Sequence, residues 1–291
     1  MNYNNYQLPE RKCICEECLY KPNVQLSKIK QTRLSQPTQP PCRSQSISNP
    51  KSVNIKLYFK NGKKSFEGNP NGIGIGYDPS GFMCYNGFCK DGFPHGIGKE
   101  YFENGQIKYT GTYKNSRRFT EPNSIGIIYY PNGKLCYQGE FSEDKYNGQG
   151  KYYDKDGNIL YSGNFVDNVL DGAGKEYLNN NLYYSGQFYA GLYEGIGTIY
   201  YPNGKIKYSG EFENDKMKGY GKEYYEDGIL LYSGEYKNNV PNGKGKIYTK
   251  IGNLQYDGEF KNGNIHGNGK LYDDDGNLDF NGKFNLGKPI Y

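Results

Sequence analysis

The sequence predicts an all-β protein: an elongated, single-layer antiparallel sheet of about ten stacked β-hairpins, with a disordered N-terminal tail. Composition is the first observation, since 33 Tyr, 14 Phe and 41 Gly among 291 residues, with no Trp, favour strands and turns over helices. The second is an aromatic-x-Gly-x-aromatic phrase that recurs after residue 54. The third is an Asn-Gly or Asp-Gly pair between β-prone runs, which is the strongest short-range signal for a hairpin.

Residues 1–54 differ from the rest of the chain and are predicted to be a disordered basic tail. They hold eight Lys or Arg against three Asp or Glu, whereas residues 55–291 hold 28 of each. Within the tail, residues 31–50 are polar and rich in Pro, Ser and Gln, so they bury too little apolar surface to fold alone. We therefore divide the chain into a tail, 1–54, and a repeat array, 55–291.

The aromatic phrase defines the repeat. From Tyr85 onward its first aromatic residue recurs at spacings of 24, 28, 24, 23, 24, 24, 24 and 24 residues. A second phrase, Gly-x-Gly-x-x-Tyr, follows eleven residues after the first, as at Gly148, and a turn comes next. Each copy thus supplies two strands and a turn, which is one hairpin. Turns from Asn61-Gly62 to Asp275-Gly276 give ten hairpins.

Two spacings depart from the regular repeat, and both departures fall in predicted loops. Four extra residues lie between Tyr113 and Ile125, in the loop that joins two hairpins. The 23-residue spacing reflects a shortened turn at 179–181. Length changes that spare the strands are expected of an array in which each unit packs on its neighbours.

Alternation within the strands predicts which face packs. In residues 230–236 the apolar, aromatic and Gly residues occupy every second position, and Ser233 and Glu235 point the other way. A glycine in a strand leaves a gap that a cross-strand aromatic ring can cover. We expect rows of Tyr and Phe over Gly, with each hairpin dependent on its neighbours because a lone hairpin is unstable in water.

The paired phrases and the turn after them resemble the repeat of the MORN family, in its longer, 24-residue variant. The resemblance rests on copies such as Tyr137-Gln-Gly-Glu-Phe141 followed by Gly148-Gln-Gly-Lys-Tyr-Tyr153, and it covers about residues 55–291. It implies a sheet whose repeated aromatics and glycines lie along a curved groove. It also implies a scaffold that attaches to membranes, cytoskeletal structures or partner peptides.

We therefore expect a non-enzymatic scaffold that binds a partner protein along this groove, within a cytoskeletal or ciliary assembly. The Asn, Lys, Tyr and Ile content is typical of an AT-rich protist genome and favours the ciliary setting. Tyr and Phe bury contact area with few rotatable bonds. A second interpretation, in which the same rings only hold the sheet together, stays open. The predicted contact residues are Tyr137, Phe141, Tyr161, Phe165, Tyr184, Phe188, Tyr208 and Phe212.

Arg117, Arg118 and Phe119 form a second predicted contact site, because they lie in the one long insertion. Loops on rigid scaffolds often carry recognition, and Arg beside an exposed aromatic ring is typical of binding hot spots. The alternative is a tolerated insertion with a solvated tip. Deletion of residues 115–118 is expected to restore the 24-residue spacing and to leave the fold intact.

The repeat array offers little for catalysis, and the sequence predicts no catalytic residue and no cofactor. His95 and His266 precede the Gly-x-Gly phrase, where other repeats carry polar loop residues. The glycines open strands rather than helices, and no Gly-Lys pair is followed by Ser or Thr. A dinucleotide fingerprint and a P-loop are therefore both excluded.

Four cysteines of the tail have a spacing that metal sites use. Cys13, Cys15 and Cys18 form a C-x-C-x-x-C run, and Cys42 could complete four Zn²⁺ ligands. The long polar stretch between Cys18 and Cys42 favours the other interpretation, free or modified thiols. Seven cysteines without a predicted export signal indicate a reducing compartment, such as the cytoplasm.

A peripheral membrane tether that binds anionic phospholipids is the alternative function. The balanced charge of residues 55–291 counts against it, and against a nucleic-acid partner, because each needs a basic field on the protein. The surplus in residues 1–54 is diffuse, and a basic residue attracts anionic lipid only when it is held close to the surface.

Overall fold

The computed structural model describes residues 53–122 and 124–291, and their regular structure is β throughout. These ranges contain 22 strands. The predicted all-β class is confirmed. Within the described ranges there is no helix of the length and apolar character that crossing a bilayer requires. The contacts divide the described residues into two compact units, 53–145 and 146–291.

The unit formed by residues 53–145 is an antiparallel sheet in which strands that follow one another in sequence pair with one another. One strand, β6, pairs with both β7 and β8, because the segment opposite it is interrupted. The strands are β1 (Ile55–Tyr58), β2 (Lys64–Gly68), β3 (Ile73–Tyr77), β4 (Met83–Lys90), β5 (Phe93–Tyr101), β6 (Ile107–Lys114), β7 (Arg117–Phe119), β8 (Gly126–Tyr129) and β9 (Leu135–Ser142).

The unit formed by residues 146–291 repeats one hairpin with little variation. Each strand pairs antiparallel with the next one in sequence. The strands are β10 (Lys145–Tyr153), β11 (Ile159–Val166), β12 (Val169–Leu178), β13 (Asn181–Tyr189), β14 (Leu192–Tyr200), β15 (Ile206–Glu213), β16 (Lys216–Tyr224), β17 (Leu230–Lys237), β18 (Val240–Tyr248), β19 (Leu254–Lys261), β20 (Asn264–Tyr272), β21 (Leu278–Asn285) and β22 (Lys288–Ile290).

Glycine sets the register of this second unit. Gly197 of β14 lies opposite Gly210 of β15, which lies opposite Gly221 of β16, and Gly221 lies opposite Gly234 of β17. A shift of one residue would turn every aromatic side chain to the other face of the sheet. The two glycine phrases of the repeat are therefore partners across the strands, and each copy aligns the next.

The predicted Asn-Gly turns are present, and they form three-residue loops. At Pro202-Asn203-Gly204 only Gly204 has positive φ, at 83°. The amide of Tyr201 donates to the Lys205 carbonyl at 2.8 Å, which closes a three-residue loop. Such loops combine a type I turn with a left-handed glycine and a bulge, and the register shifts between Ile199 and Tyr200 accordingly.

Two-residue turns with positive φ at both positions occur at the opposite ends of the strands from the three-residue loops. Asn214 and Asp215 have φ of 47° and 65°, which is the backbone of a type I′ turn. The Asp215 carboxylate accepts a hydrogen bond from the Tyr193 amide at 2.7 Å, one hairpin earlier. Asx side chains in these turns therefore tie successive hairpins together, a role that the sequence analysis did not assign to them.

The shortened turn has a simple geometric cause. Asn179 and Asn180 have φ of 51° and 64°, so a two-residue type I′ turn replaces the three-residue loop of the other repeats. The loss of one residue leaves the pairing of β12 with β13 intact, with Gly174 opposite Gly186. The prediction that this spacing change lies in the turn is confirmed.

The four-residue insertion lies further along the chain than residues 115–118. Asn115 and Ser116 form a regular two-residue turn, with φ of 52° and 67°. Arg117–Phe119 is strand β7, paired with β6. The additional residues fall between Phe119 and Gly126, where β7 ends and β8 has not begun.

Candidate partner-binding surface

The aromatic residues of the repeat form a ladder on one face of the sheet. The Tyr208 ring lies edge-on to Phe212 of its own strand, with centroids 5.3 Å apart, and to Tyr236 of the next hairpin, at 5.2 Å. Tyr232 repeats the pattern with Tyr236 at 5.1 Å and Phe260 at 5.2 Å. Edge-to-face pairs contribute about 0.5–1.5 kcal/mol each beyond their buried area. These contacts therefore couple each of these hairpins to the next.

These rings are buried, and the expectation that they line an open groove is not met. The ladder leaves little of each ring exposed, because every ring is covered by its neighbours along the sheet. The burial favours the second interpretation, in which the aromatics hold the sheet together. The exposed fractions of the eight predicted contact residues are 0% for Tyr137, Phe165, Tyr184, Tyr208 and Phe212, 2% for Phe141, 3% for Phe188 and 6% for Tyr161.

Tyr184, Tyr208, Tyr232 and Tyr256 each cover two glycines. The Tyr208 hydroxyl donates to the carbonyl of Glu211 at 3.2 Å, and this bond lays the ring over Gly210. The same ring covers Gly221 across the strand. A Cβ placed on Gly210 would meet the Tyr208 hydroxyl and would lie 2.6 Å from the Gly221 Cα. The prediction that a ring from the neighbouring strand covers the glycine is confirmed for Gly221. Gly210 is instead covered by the Tyr208 ring of its own strand.

The opposite face of residues 146–291, which we call the open face, carries polar strand residues of differing exposure: Lys222 is exposed, whereas Ser233 is only 7% exposed. Thr198, Ser209, Lys222 and Ser233 lie opposite one another on β14 to β17. The middle residue of the Gly-x-Gly phrase also points to this face, because the second glycine of the phrase, such as Gly197 or Gly221, lies under a ring. Two of these residues are large and apolar: Ile196 is 63% exposed and Tyr220 is 53% exposed.

Ile196 and Tyr220 occupy equivalent positions two strands apart, which corresponds to about 9.6 Å at the usual strand spacing. The Glu211 carboxylate lies between them, and it accepts a hydrogen bond from the Tyr220 amide at 3.4 Å. The sequence analysis missed both residues. The signal was available: in an alternating strand, a large apolar residue directly before the glycine that an aromatic ring covers must point to the open face.

Three glutamates lie on the packed face at one position of the repeat. Glu176 and Glu223 are 6% exposed, and the Glu100 side chain is 15% exposed. Other repeats place Tyr152, Ile199 or Ile247 there. Burial of a carboxylate at this position costs free energy of folding unless hydrogen bonds compensate for its lost hydration. The sequence signal was a Gly-x-Gly-Lys-Glu-Tyr phrase in three repeats.

The three glutamates differ in their partners. Glu100 receives a hydrogen bond from the Tyr113 hydroxyl at 2.9 Å and two from Arg118, whereas Glu176 receives one from the Tyr193 hydroxyl at 2.7 Å. The Tyr236 hydroxyl donates to Glu223 at 3.2 Å. At the position where the first two have Arg118 and Tyr193, the third repeat has Pro241. Burial raises the pKa of Glu223, against the opposing effects of Tyr236 and of the Lys207 charge.

Arg118 is fully buried, so the prediction of an exposed Arg pair at a loop tip is wrong for this residue. It takes an inward position of β7 that Leu170 occupies in a later repeat. Burial of Glu100 raises the pKa of that carboxyl, but the charge and hydrogen bonds of Arg118 outweigh it and hold the pKa below its ordinary value. Arg117 is exposed and pairs with Glu143 at 2.7 Å, and Phe119 is half-buried. The three residues therefore do not form one contact patch.

The remaining candidates for chemistry are not assembled into a site. In the ranges 53–122 and 124–291 no group of three or more His, Cys, Asp or Glu side chains is arranged to hold a metal ion. His95 and His266 lie in β5 and β20, half-buried. The Zn²⁺ candidates Cys13, Cys15, Cys18 and Cys42 lie outside the described residues.

Comparison with known proteins identifies the repeat. The model of the MORN repeat matches residues 137–159, 161–183, 184–206, 208–229, 232–253 and 256–278. The model of the MORN repeat variant matches residues 94–115 and 124–143. The two matches of the variant leave out residues 116–123, the segment that contains the interrupted strand.

The other comparisons add no functional information. A search of curated proteins finds no match. The crystal structure of selenomethionine-substituted virginiamycin B lyase from Staphylococcus aureus is similar at 10% sequence identity, over 79% of this chain and 84% of that chain, with a TM-score of 0.15. The family matches, together with the cross-strand pairing of the glycines and the rings packed over them, show that the chain belongs to the MORN repeat family.

Proposed function

We propose that this protein is a non-enzymatic scaffold that binds a partner protein through the open face of its sheet. MORN repeats occur in scaffolds that bind proteins or membranes. The observation that supports this surface is the exposure of Ile196 and Tyr220 at 63% and 53%. Both are held on a rigid sheet, and exposed apolar residues with polar neighbours are typical of interaction sites. The rings on the other face are buried against one another and leave little surface for a partner.

The experiment compares the open face with another exposed apolar position. Proximity labelling in the native cell identifies the partners, and quantitative pull-down then measures their capture. Replacement of both Ile196 and Tyr220 by Ser is expected to reduce capture at least tenfold, because truncation of central apolar contacts costs about 2 kcal/mol or more at a hot spot. Replacement of Ile251, which is 74% exposed in the turn between β18 and β19, by Ser is the control. Equal capture by both variants would contradict the proposed surface.

A membrane tether makes a different prediction for the same protein. Flotation with vesicles of phosphatidylcholine alone, or with added phosphatidylserine, measures lipid binding with and without residues 1–54. We expect no dependence on phosphatidylserine, because residues 55–291 hold equal numbers of basic and acidic residues. Strong dependence that survives removal of residues 1–54 would favour the tether over the protein scaffold.

We further propose that the partner belongs to a cytoskeletal or ciliary assembly in the cytoplasm. The support is the behaviour implied by the family resemblance and the amino-acid composition of the chain. Fluorescence imaging of the tagged protein tests it, with filament or axoneme markers in the same cell. An even distribution through the cell, unchanged by detergent extraction, would contradict this setting.

A further inference from the structure

Exposed apolar side chains lie close together on β3, β4 and β5, in the unit formed by residues 53–145. The Phe66 ring covers Gly74, and the Tyr85 ring covers Gly87 and Gly98, so these rings mark the packed face. The residues that alternate with these glycines point to the other face. Four of them are apolar, and we call them the β3–β5 patch: Ile73, 62% exposed, Phe88, 50%, Ile97, 66%, and the half-buried Ile75.

The patch runs across three strands without a break. Ile73 lies directly opposite Phe88. A Cβ built on Gly96, the residue before Ile97, would lie 3.4 Å from the Phe88 Cβ. Phe88 is the residue that makes this surface apolar, because later repeats carry a polar side chain at its position. Those polar residues include Asn164, Gln187, Glu211, Glu235 and Glu259.

The charge beside the patch is mostly positive. Lys90 and Lys99 each lie two residues beyond a patch residue, on β4 and β5, so both point to the same side of the sheet. Both are exposed, and neither forms an ion pair with another described residue. Glu67 on β2 is already paired with two lysines, at 3.4 and 2.6 Å, and Asp91 in the turn after β4 offsets at most one positive charge. A segment that carries carboxylates next to apolar side chains therefore suits this surface.

The chain itself contains such a segment, residues 13–20, which lies outside the described residues. Glu16 and Glu17 are two of the three acidic residues in the range 1–54. The other six residues of the segment are apolar or aromatic, since a free cysteine behaves as a small apolar side chain. They are Cys13, Ile14, Cys15, Cys18, Leu19 and Tyr20. The second apolar stretch of the tail, 24–34, carries three basic residues and no acidic one, so Lys90 and Lys99 would repel it.

The point at which the tail joins the sheet places this segment within reach of the patch. The tail leads directly into β1, and β1 to β4 pair in sequence order. β4 therefore lies three strands from β1, about 14 Å at the usual strand spacing. Residues 21–52 can span up to about 100 Å when extended. A covalent connection of this kind gives an effective concentration on the order of millimolar, at which a weak apolar contact forms.

We propose that residues 13–20 dock on the β3–β5 patch of the same chain, with their apolar side chains on the patch and their two glutamates at Lys90 and Lys99. The docked segment competes with any protein that contacts the patch. The proposal goes beyond the scaffold function and does not depend on the open face of residues 146–291.

The first test changes the tail and observes the patch, in the full chain and in reducing buffer. The segment variant carries Ile14→Ser, Leu19→Ser and Tyr20→Ser, and the matched control carries Val24→Ser, Leu26→Ser and Ile29→Ser. We expect the amide NMR signals of residues 73–99 to shift in the segment variant and to stay in place in the control. Unchanged signals in the segment variant overturn the proposal. Signals of the parent that move on dilution would assign the patch to a second copy of the chain, and they also overturn it.

The second test changes the patch and observes the tail. A protease that cleaves after Glu cuts at Glu16 and Glu17 inside the segment and at Glu10 outside it, and mass spectrometry gives the ratio of the two rates. Phe88→Ser with Ile97→Ser is expected to raise this ratio at least about threefold, because the docked segment loses apolar contacts. Lys90→Gln with Lys99→Gln is expected to raise it by less, about twofold, the range of exposed ion pairs.

Ile196→Ser with Tyr220→Ser makes a comparable change on the open face and is the control, for which we expect the ratio of the parent. Equal ratios in the parent and in the Phe88 and Ile97 variant overturn the proposal. Circular dichroism checks that each variant keeps its strands. If the patch variant loses them, the NMR comparison decides alone. If the proposal fails while the open face still captures its partner, the scaffold function stands.

Discussion

The Arg118 guanidinium donates two hydrogen bonds to the Glu100 carboxylate, from Nη2 to Oε2 at 2.6 Å and from Nε to Oε1 at 3.2 Å. Arg118 is fully buried, and the two residues replace an apolar pair that other repeats carry. Loss of one charge of such a pair leaves the other charge buried and uncompensated. An ion pair on the packed face therefore holds β7, the strand that ends at the interruption, against the sheet.

The first prediction concerns this pair. Arg118→Leu is expected to destabilise the protein by about 3–5 kcal/mol, because it leaves Glu100 buried without its cation. Adding Glu100→Ile should recover most of that loss, since Leu170 and Ile199 occupy these two positions in other repeats. Chemical denaturation of the two single variants and the double variant measures the coupling. Additive effects of the two substitutions would show that the pair is not coupled.

The second prediction concerns the insertion. Deletion of residues 121–124 with Thr120→Gly restores the regular spacing and is expected to leave the melting temperature within a few degrees of that of the parent. Deletion of residues 115–118, which the sequence alone favoured, removes a type I′ turn and Arg118, and should unfold or strongly destabilise the protein. Thermal unfolding followed by circular dichroism compares them. If both deletions melt alike, our placement of the insertion is incorrect.

The third prediction concerns Glu223 and pH. Burial raises its folded-state pKa above the ordinary value of 4.5, so the unfolded chain releases this proton more readily than the folded protein. The carboxyl therefore favours folding least at neutral pH, and the penalty disappears as pH falls below about 4.5. Glu223→Gln should raise the melting temperature relative to the parent at pH 7, and the difference should shrink at pH 4. Glu176→Gln, whose carboxylate has the Tyr193 hydroxyl at 2.7 Å, is the comparison. A difference independent of pH would exclude titration of Glu223 as the cause.

The fourth prediction follows from the partners of the same glutamates. Pro241→Tyr would place a hydroxyl where Tyr193 meets Glu176, and should stabilise the protein by about 1 kcal/mol through a new hydrogen bond to Glu223. Combining it with Glu223→Ile removes the acceptor, and the gain should vanish. Denaturation midpoints of the two variants and the double variant measure this. Stabilisation that persists with Ile at position 223 would point to packing or to the loss of proline instead.

The fifth prediction tests the two faces of β15. Gly210→Val places a side chain against the Tyr208 hydroxyl and the Gly221 Cα, and overpacking of this kind costs about 1–3 kcal/mol or more. Ser209→Val introduces the same side chain on the open face and should be nearly neutral, because Val suits a strand. The measurement is the shift of the denaturation midpoint. Similar shifts for both variants would refute the assignment of faces.

The sequence by itself determined the repeat, the all-β class and the placement of the shortened turn, because these depend on local patterns. Spacing, alternation and Asx-Gly turns act within one hairpin. The same patterns determined that Tyr208 and Gly210 share a face.

Tertiary structure alone decided where the insertion lies and what Arg118 does. Position along the chain does not reveal that Glu100 lies beside it, because that contact crosses between strands. The tertiary structure also decided that the rings cover one another. The candidate contact surface is therefore the open face. Burial depends on what the neighbouring hairpins place above each ring, and a single repeat read along the chain does not contain that information.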